Sequence, residues 1–397
     1  MNELNSIENK ILHLSEELEK LLNILKLTLE NGNNDIKIVE DIDLKYRKEL
    51  ENYIEDKNPE INLAIYIFNL IDNIKKNLCE AVDNVYSKNS LTETLPKYFE
   101  SSNAKVPSIG IGTAFMTSDI SKVIYNSIKD GTRLIDTASR YGSEEGVGKG
   151  IKRAIQKGIV KREDLFITTK LGKLEMTEAE EAIKRSLKTL GLDYIDLYLL
   201  HWPKFFSYNE KGEKTNLMPM HKIWPIMESF VEKGYTKYIG VSNYNVQSLL
   251  NLLSFCKIKP LVNEVEFHPY LYQKKLADFC KKENIIIFGY NPLVKGSYCA
   301  DTADEEHRNL LGEEIIVNLS KKYNKTVGQI VLNWSIFREV IPIPMTSNPH
   351  RMKENLGSID FVMEKEEYEK IDGLNRNQRY GLSSLWNIYD KEIDVFA

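Results

Sequence analysis

The apolar positions of this chain fall into two regimes. Over residues 1–86 they recur at helical spacing. Ile7, Ile11, Leu14, Leu18, Leu21, Leu25 and Leu29 step by threes and fours, with Glu and Lys on the outer positions. Gly32 stops this helix. A weaker helical stretch covers residues 43–55, and Asn58-Pro59 breaks it. Ile61, Ile65, Phe68, Ile71, Ile74, Leu78, Val82 and Val85 then mark one face of a third helix. Residues 87–102 read as a linker. From residue 106 the pattern changes to short apolar runs separated by amphipathic stretches. Strands are expected over residues 106–113, 134–136, 165–171, 195–202, 238–242, 261–266, 285–290 and 340–345. Helices are expected over 121–130, 143–157, 177–190, 219–233, 246–256, 273–283, 313–323 and 327–337. Near-continuous apolar strands alternating with helices predict an α/β fold, a closed parallel (β/α)8 TIM barrel over residues 101–397. It follows an all-α extension and linker over residues 1–100.

Composition narrows the function without naming it. The 397 residues leave room for one large domain and a smaller module. Lys and Arg total 53 against 58 Asp and Glu, a net charge of −5, which gives no support for nucleic-acid binding. The four cysteines, Cys79, Cys256, Cys280 and Cys299, lack CxxC or Cys/His spacing, so no disulfide framework or metal site is expected. A reducing, cytoplasmic setting is the expectation. The apolar run at residues 63–68 is far too short to span a bilayer. Residues 1–86 carry no candidate chemistry. They read either as a small helical bundle or as a self-association or partner-docking module.

The chemistry-bearing residues sit at strand ends. Asp136 ends the strand Arg133-Leu-Ile-Asp136, and Tyr141 follows in the loop before a helix that Ser143 is placed to cap. Lys170 ends Phe166-Ile-Thr-Thr-Lys170, and His201 ends Ile195-Asp-Leu-Tyr-Leu-Leu-His201. Polar groups at the C-terminal ends of successive strands are the layout of a β/α-barrel active site. A tyrosine has a pKa of about 10 and needs a nearby cation to become a useful acid near neutral pH. Lys170 is expected to lower it and Asp136 to hold Lys170. With neither a metal constellation nor a redox thiol pair visible, a nicotinamide cofactor fits as hydride source.

Asp136-Thr-Ala-Ser-Arg-Tyr141, Thr168-Thr-Lys170, Leu199-Leu-His-Trp-Pro203 and Gly240-Val-Ser-Asn-Tyr244, in this order, resemble the aldo-keto reductase family. The resemblance spans residues 106 to 380 and does not reach the extension. It implies an NAD(P)H-dependent reductase acting on aldehydes or ketones, with catalytic Asp136, Tyr141, Lys170 and His201. It implies Thr113, Ser242, Asn243, Glu264, Tyr290 and Leu293 around the nicotinamide and pyrophosphate. Glu264 stands where the family has Gln; it can accept a hydrogen bond from the carboxamide and adds negative charge. Thr346, Arg351 and Asn355 match the adenosine-phosphate site, while Met345 replaces its Lys. NADPH is therefore expected, with NADH as a second cofactor. The nucleotide would lie extended across strand ends, with no GxGxxG turn. Phe115 and Trp202 are the expected substrate walls. A second reading is a nicotinamide-sensing regulatory or scaffold protein, similar to potassium-channel β subunits, which also place such a barrel behind an N-terminal appendage.

Overall fold

A computed structural model describes residues 94–101, 104–203, 206–208, 214–216, 218–294 and 309–381. The expected helical extension over residues 1–86 lies outside the described residues. Eight parallel strands form one sheet: β3 (Gly110–Gly112), β4 (Leu134–Asp136), β5 (Phe166–Leu171), β6 (Ile195–Leu200), β9 (Thr236–Ser242), β10 (Val262–Glu266), β11 (Ile286–Tyr290) and β12 (Val340–Pro342), adjacent in that order. The Gly112 amide donates to the Pro344 carbonyl at 3.1 Å and closes the sheet on itself. This seam explains Gly112: a Cβ there would lie 3.0 Å from the Ile343 carbonyl oxygen.

The lumen is filled by side chains. Leu134, Phe166, Leu197, Leu199, Val262, Ile286, Phe288 and Ile341 form one buried cluster inside the ring. A hairpin of β1 (Tyr98–Ser101) and β2 (Ala104–Pro107) packs Ala104 and Val106 into the same cluster. Those contacts fall at the N-terminal strand ends, so the hairpin plugs that end and leaves the C-terminal end for the site. Two expectations are corrected here. Residues 98–101 are strand, not linker. The run 106–113 is not one strand: it breaks at Ser108, whose hydroxyl donates to the Pro96 carbonyl at 2.6 Å.

Helices α1 (Ile120–Asp130), α2 (Glu144–Gln156), α3 (Ala179–Leu190), α4 (Met220–Glu232), α5 (Val246–Leu253), α6 (Lys274–Lys282), α7 (Glu314–Tyr323) and α8 (Val327–Phe337) accompany the strands. Their apolar stripes build a second, outer core; Ile124, Ile151, Ile183, Trp224 and Leu249 belong to it. Local signals set their ends. Asp119 accepts the Lys122 amide at the start of α1, Gly191 ends α3 at φ 65, and Thr326 with Gln329 forms a capping box on α8. Helix α8 is apolar nearly all round and correspondingly buried.

The capping residue expected for α2 is a further correction. The Ser143 side chain makes no cap; its hydroxyl lies 2.7 Å from Thr137 Oγ1 and 3.0 Å from Thr113 Oγ1, bracing the strand ends. Two elements were not foreseen: α9 (Pro349–Leu356) and α10 (Lys365–Asp372). A short antiparallel pair, β7 (Phe206–Tyr208) and β8 (Lys214–Asn216), lies within the long segment after β6. No helix among the described residues is long and apolar enough to cross a membrane.

Candidate active site

At the C-terminal mouth the strands bring four separated side chains together. The Lys170 ammonium, with no exposed surface, donates to Asp136 Oδ1 at 2.6 Å and to the Thr137 carbonyl at 3.0 Å. Glu264 Oε2 lies 3.3 Å from the same nitrogen. Lys170 Nζ also stands 5.1 Å from the Tyr141 ring centroid. The Tyr141 hydroxyl lies 3.3 Å from His201 Nε2. The periodicities explain the convergence. Asp136, Lys170 and Glu264 occupy neighbouring or facing strands, and Tyr141 arrives through a short 3-10 turn, Ser139–Tyr141.

Burial dominates the electrostatics here. It works to lower the Lys170 pKa, but the Asp136 and Glu264 carboxylates outweigh it and hold the ammonium above its ordinary value. Burial raises Asp136 against the pull of Lys170. Burial, reinforced by the Asp136 charge, pushes Glu264 up to about 8, with Lys170 opposing. For Tyr141 the expectation is corrected in direction. Burial raises it, Lys170 pulls it down, and the two carboxylates push it up again, so it ends above the ordinary tyrosine value. Lys170 is already matched by two acids, so little of its field is left for the phenol. His201 is held well below its usual value by burial and by the Lys170 and Arg140 charges, so the imidazole is neutral. Its Nδ1 has no hydrogen-bond partner among the described residues.

These groups open into a cleft enclosing about 620 Å³, part of it open solvent. Asp136, Tyr141, His201 and Glu264 line its floor, and Ser242, Asn243 and Tyr290 line one flank. Tyr290 donates to Asn243 Oδ1 at 2.9 Å, and Asn243 Nδ2 donates to the His201 carbonyl at 3.1 Å. Phe115 and Trp202 also line the cleft. Phe115 is 44% exposed and held at φ 57, a left-handed conformation unusual for a bulky residue. Met345 is at the rim, 39% exposed.

Other expected residues lie off the cleft. Thr113 is buried beneath it, its hydroxyl hydrogen-bonded to the Asp136 carbonyl at 3.0 Å. Leu293 packs its side chain on the outer core. Thr346 accepts the Asn348 amide at 3.2 Å, and Arg351 and Asn355 lie on α9, which starts four residues after Met345. Residue Trp386 and most of the 204–218 segment are outside the described residues.

Sequence reasoning missed two residues that hold the site. Asn263 accepts from the Tyr244 amide at 3.3 Å and donates to the Tyr244 carbonyl at 2.9 Å, clamping the Ser242-Asn243 turn. Glu266 receives the amides of Tyr380 and Gly381 at 3.1 and 2.9 Å. That clasp seats Gly381 in the cleft wall. The C-terminal strap, residues 375–380, is therefore buried at its end, where Tyr380 has no exposed surface. The available signal for Glu266 was a second acid at an inward position, two residues after Glu264 on the same strand.

A parallel eight-stranded barrel with a polar cluster in a cleft at its C-terminal mouth is the plan of an enzyme that works on small molecules. The sequence profile described as "Aldo/keto reductase family" matches residues 108–376. The chain belongs to that family. It is similar to the glyoxal reductase of Bacillus subtilis (strain 168), 38% identical over 283 residues, covering 70% of this chain and 92% of that protein. It is also similar to NAD(P)H-dependent D-xylose reductase I,II of Candida tropicalis, 36% identical over 317 residues, 75% of this chain and 98% of that one. Among solved structures it resembles a Bombyx mori aldo-keto reductase in complex with NADP. The TM-score is 0.66 at 32% identity, covering 76% of this chain and 98% of the other.

Proposed function

We propose that this protein reduces aldehydes or ketones to alcohols with NADPH, reversibly, with NADH as a weaker second cofactor. One observation carries the reading. A phenol, an imidazole and an ammonium pinned between two carboxylates meet at the floor of one cleft, with Tyr141 Oη 3.3 Å from His201 Nε2. The residues present suit a nicotinamide. Glu264 Oε2 is buried 3.3 Å from the Lys170 ammonium, which it shares with Asp136, and Tyr290 and Asn243 border the same space.

A bound NADPH supplies the hydride that adds to the carbonyl carbon. The rest is done by side chains. Tyr141 gives its hydroxyl proton to the carbonyl oxygen as the C–O bond becomes single, and it is returned to the phenol form by solvent. Its raised pKa keeps Tyr141 protonated over the whole neutral range and makes it a weak acid, so proton transfer depends on stabilising the phenolate. The nearby Lys170 charge stabilises the phenolate that forms. Neutral His201 orients the carbonyl by a hydrogen bond. Trp202 and Phe115 exclude water around the substrate. Ser242, Asn243, Glu264 and Tyr290 hold the nicotinamide; Thr113 acts from below by fixing the Asp136 strand end. Leu293 would flank the pyrophosphate, and Thr346, Arg351 and Asn355 would receive the adenosine phosphate. Arg351 can bind it in a bidentate manner although Met345 replaces a cation at the rim.

The regulatory reading draws on residues outside the described part of the chain, and the relatives matched are named as redox enzymes. Residues 1–86 retain a proposed docking or self-association role beside the activity. The test is cofactor titration followed by an aldehyde and ketone panel. Binding of NADPH with carbonyl-dependent oxidation is expected; no oxidation with any carbonyl would overturn the reading.

A further inference from the structure

The acid at position 264 changes the charge of the cleft floor. Val262, Glu264 and Glu266 alternate inward along β10. Val262 packs in the lumen, and Glu266 is engaged by the C-terminal strap, His268 and Asn291. Glu264 between them faces the cleft, 3.3 Å from Lys170 Nζ. The groups around it are Asp136 from β4, Tyr141 from the loop after it, Lys170 from β5, Ser242 and Asn243 from the end of β9, and Tyr290 from β11. Arg379, the nearest further cation from the strap, is 3.8 Å from Glu266. Lys170 is thus one positive charge shared by two carboxylates. With Asp136 and Glu264 both ionised, the floor carries one surplus negative charge; with Glu264 protonated, it is balanced.

We propose that Glu264 selects the redox state of the nicotinamide: its carboxylate favours the cationic oxidised ring, and its protonated acid favours the neutral reduced ring. This rests on the reductase reading, which puts the nicotinamide in this cleft. The protonation change falls in an accessible range, because burial and Asp136 lift Glu264 to about 8. Linkage makes the effect reciprocal. NADP+ binding promotes proton release from Glu264, and NADPH binding promotes proton retention. The equilibrium of the catalysed reaction is untouched; what shifts is the relative affinity for the two cofactor forms. A unit charge about 5 Å from a cationic ring, at an effective dielectric of about 20, is worth at least a tenfold preference.

The experiment measures dissociation constants of NADPH and NADP+ by protein fluorescence for wild type and Glu264→Gln, at about pH 6 and about pH 9.5, spanning the Glu264 value. Taking the ratio cancels effects common to both forms, including ionisation of the shared phosphate. The ratio Kd(NADPH)/Kd(NADP+) is expected to rise about tenfold or more with pH in wild type and to stay flat in the variant. Calorimetry of the wild type at about pH 8, in buffers of different ionisation enthalpy, needs no variant, and NADP+ binding is expected to release part of a proton. A flat wild-type ratio, a rise that persists in Glu264→Gln, or zero proton release overturns the proposal. If neither cofactor binds at either pH, the reductase reading falls too; binding without the pH-linked preference sinks this inference alone.

Discussion

The Tyr380 amide donates to the Glu266 carboxylate at 3.1 Å across 114 residues of chain. Burial works to raise that carboxyl, but hydrogen bonds from His268 and Asn291 and the Arg379 charge hold it below the ordinary value. The acid at the end of β10 is therefore a fixed anion that fastens the C-terminal strap beside the cleft.

Glu266→Ala strands the amides of Tyr380, Gly381 and Asn291 without their acceptor. The expected loss is about 2–4 kcal/mol of stability in urea unfolding, since each buried orphan donor costs about 1–3 kcal/mol and the strap can partly relax into water. Hydrogen exchange localises it: the Tyr380 and Gly381 amides should lose protection first. Unchanged protection at those two amides would show that the strap is held by other contacts.

Removing the shared ammonium has a different signature. Lys170→Met leaves Asp136 and Glu264 as buried acids with no cation within reach, and breaking a buried pair in this way destabilises by about 3–5 kcal/mol. Adding Glu264→Gln to that variant should restore part of the loss, a non-additive coupling readable in a double-mutant cycle. Strict additivity of the two changes would mean that Lys170 and Glu264 do not interact.

The barrel was legible because its strands are bounded apolar runs and its helices carry clean stripes and stop signals, as at Gly191. Spacing of Asp136, Lys170 and His201 at strand ends was enough to foresee their convergence. What stayed hidden depends on tertiary partners. Ser143 reads as a cap, yet two threonine hydroxyls compete for it. The break at Ser108 and the hairpin behind it need the far end of the barrel to plug. The rise of the Tyr141 pKa follows from the depth of burial and from a second carboxylate on Lys170, and neither is written in local sequence.

Glu264 also makes stability depend on pH in the absence of any cofactor. Its folded-state value of about 8 lies above the 4.5 expected of an unfolded glutamate. The folded chain therefore keeps a proton that the unfolded chain gives up over that window. The contribution is fully present below 4.5 and is lost as pH rises to about 8. Urea unfolding of wild type and Glu264→Gln should diverge across that range, with the variant the more stable at the alkaline end. Parallel curves would contradict the assignment.

Met345 occupies the rim where a lysine would add charge toward the 2′-phosphate. Met345→Lys is expected to tighten NADPH binding by about fivefold to tenfold at low salt and to leave NADH unchanged. That magnitude matches one partly exposed charge-assisted hydrogen bond of about 1 kcal/mol or slightly more. An equal gain for both cofactors would place the adenosine phosphate elsewhere.

In the proposed reaction Tyr141 protonates the carbonyl while a bound nicotinamide reduces it. Rapid mixing of NADPH-loaded protein with a small aldehyde, in wild type and in Tyr141→Phe, tests it most directly. The variant should bind NADPH within about twofold of wild type but oxidise it at least about a hundredfold more slowly, the usual contribution of a positioned general acid. Cofactor oxidation by Tyr141→Phe at the wild-type rate would contradict it.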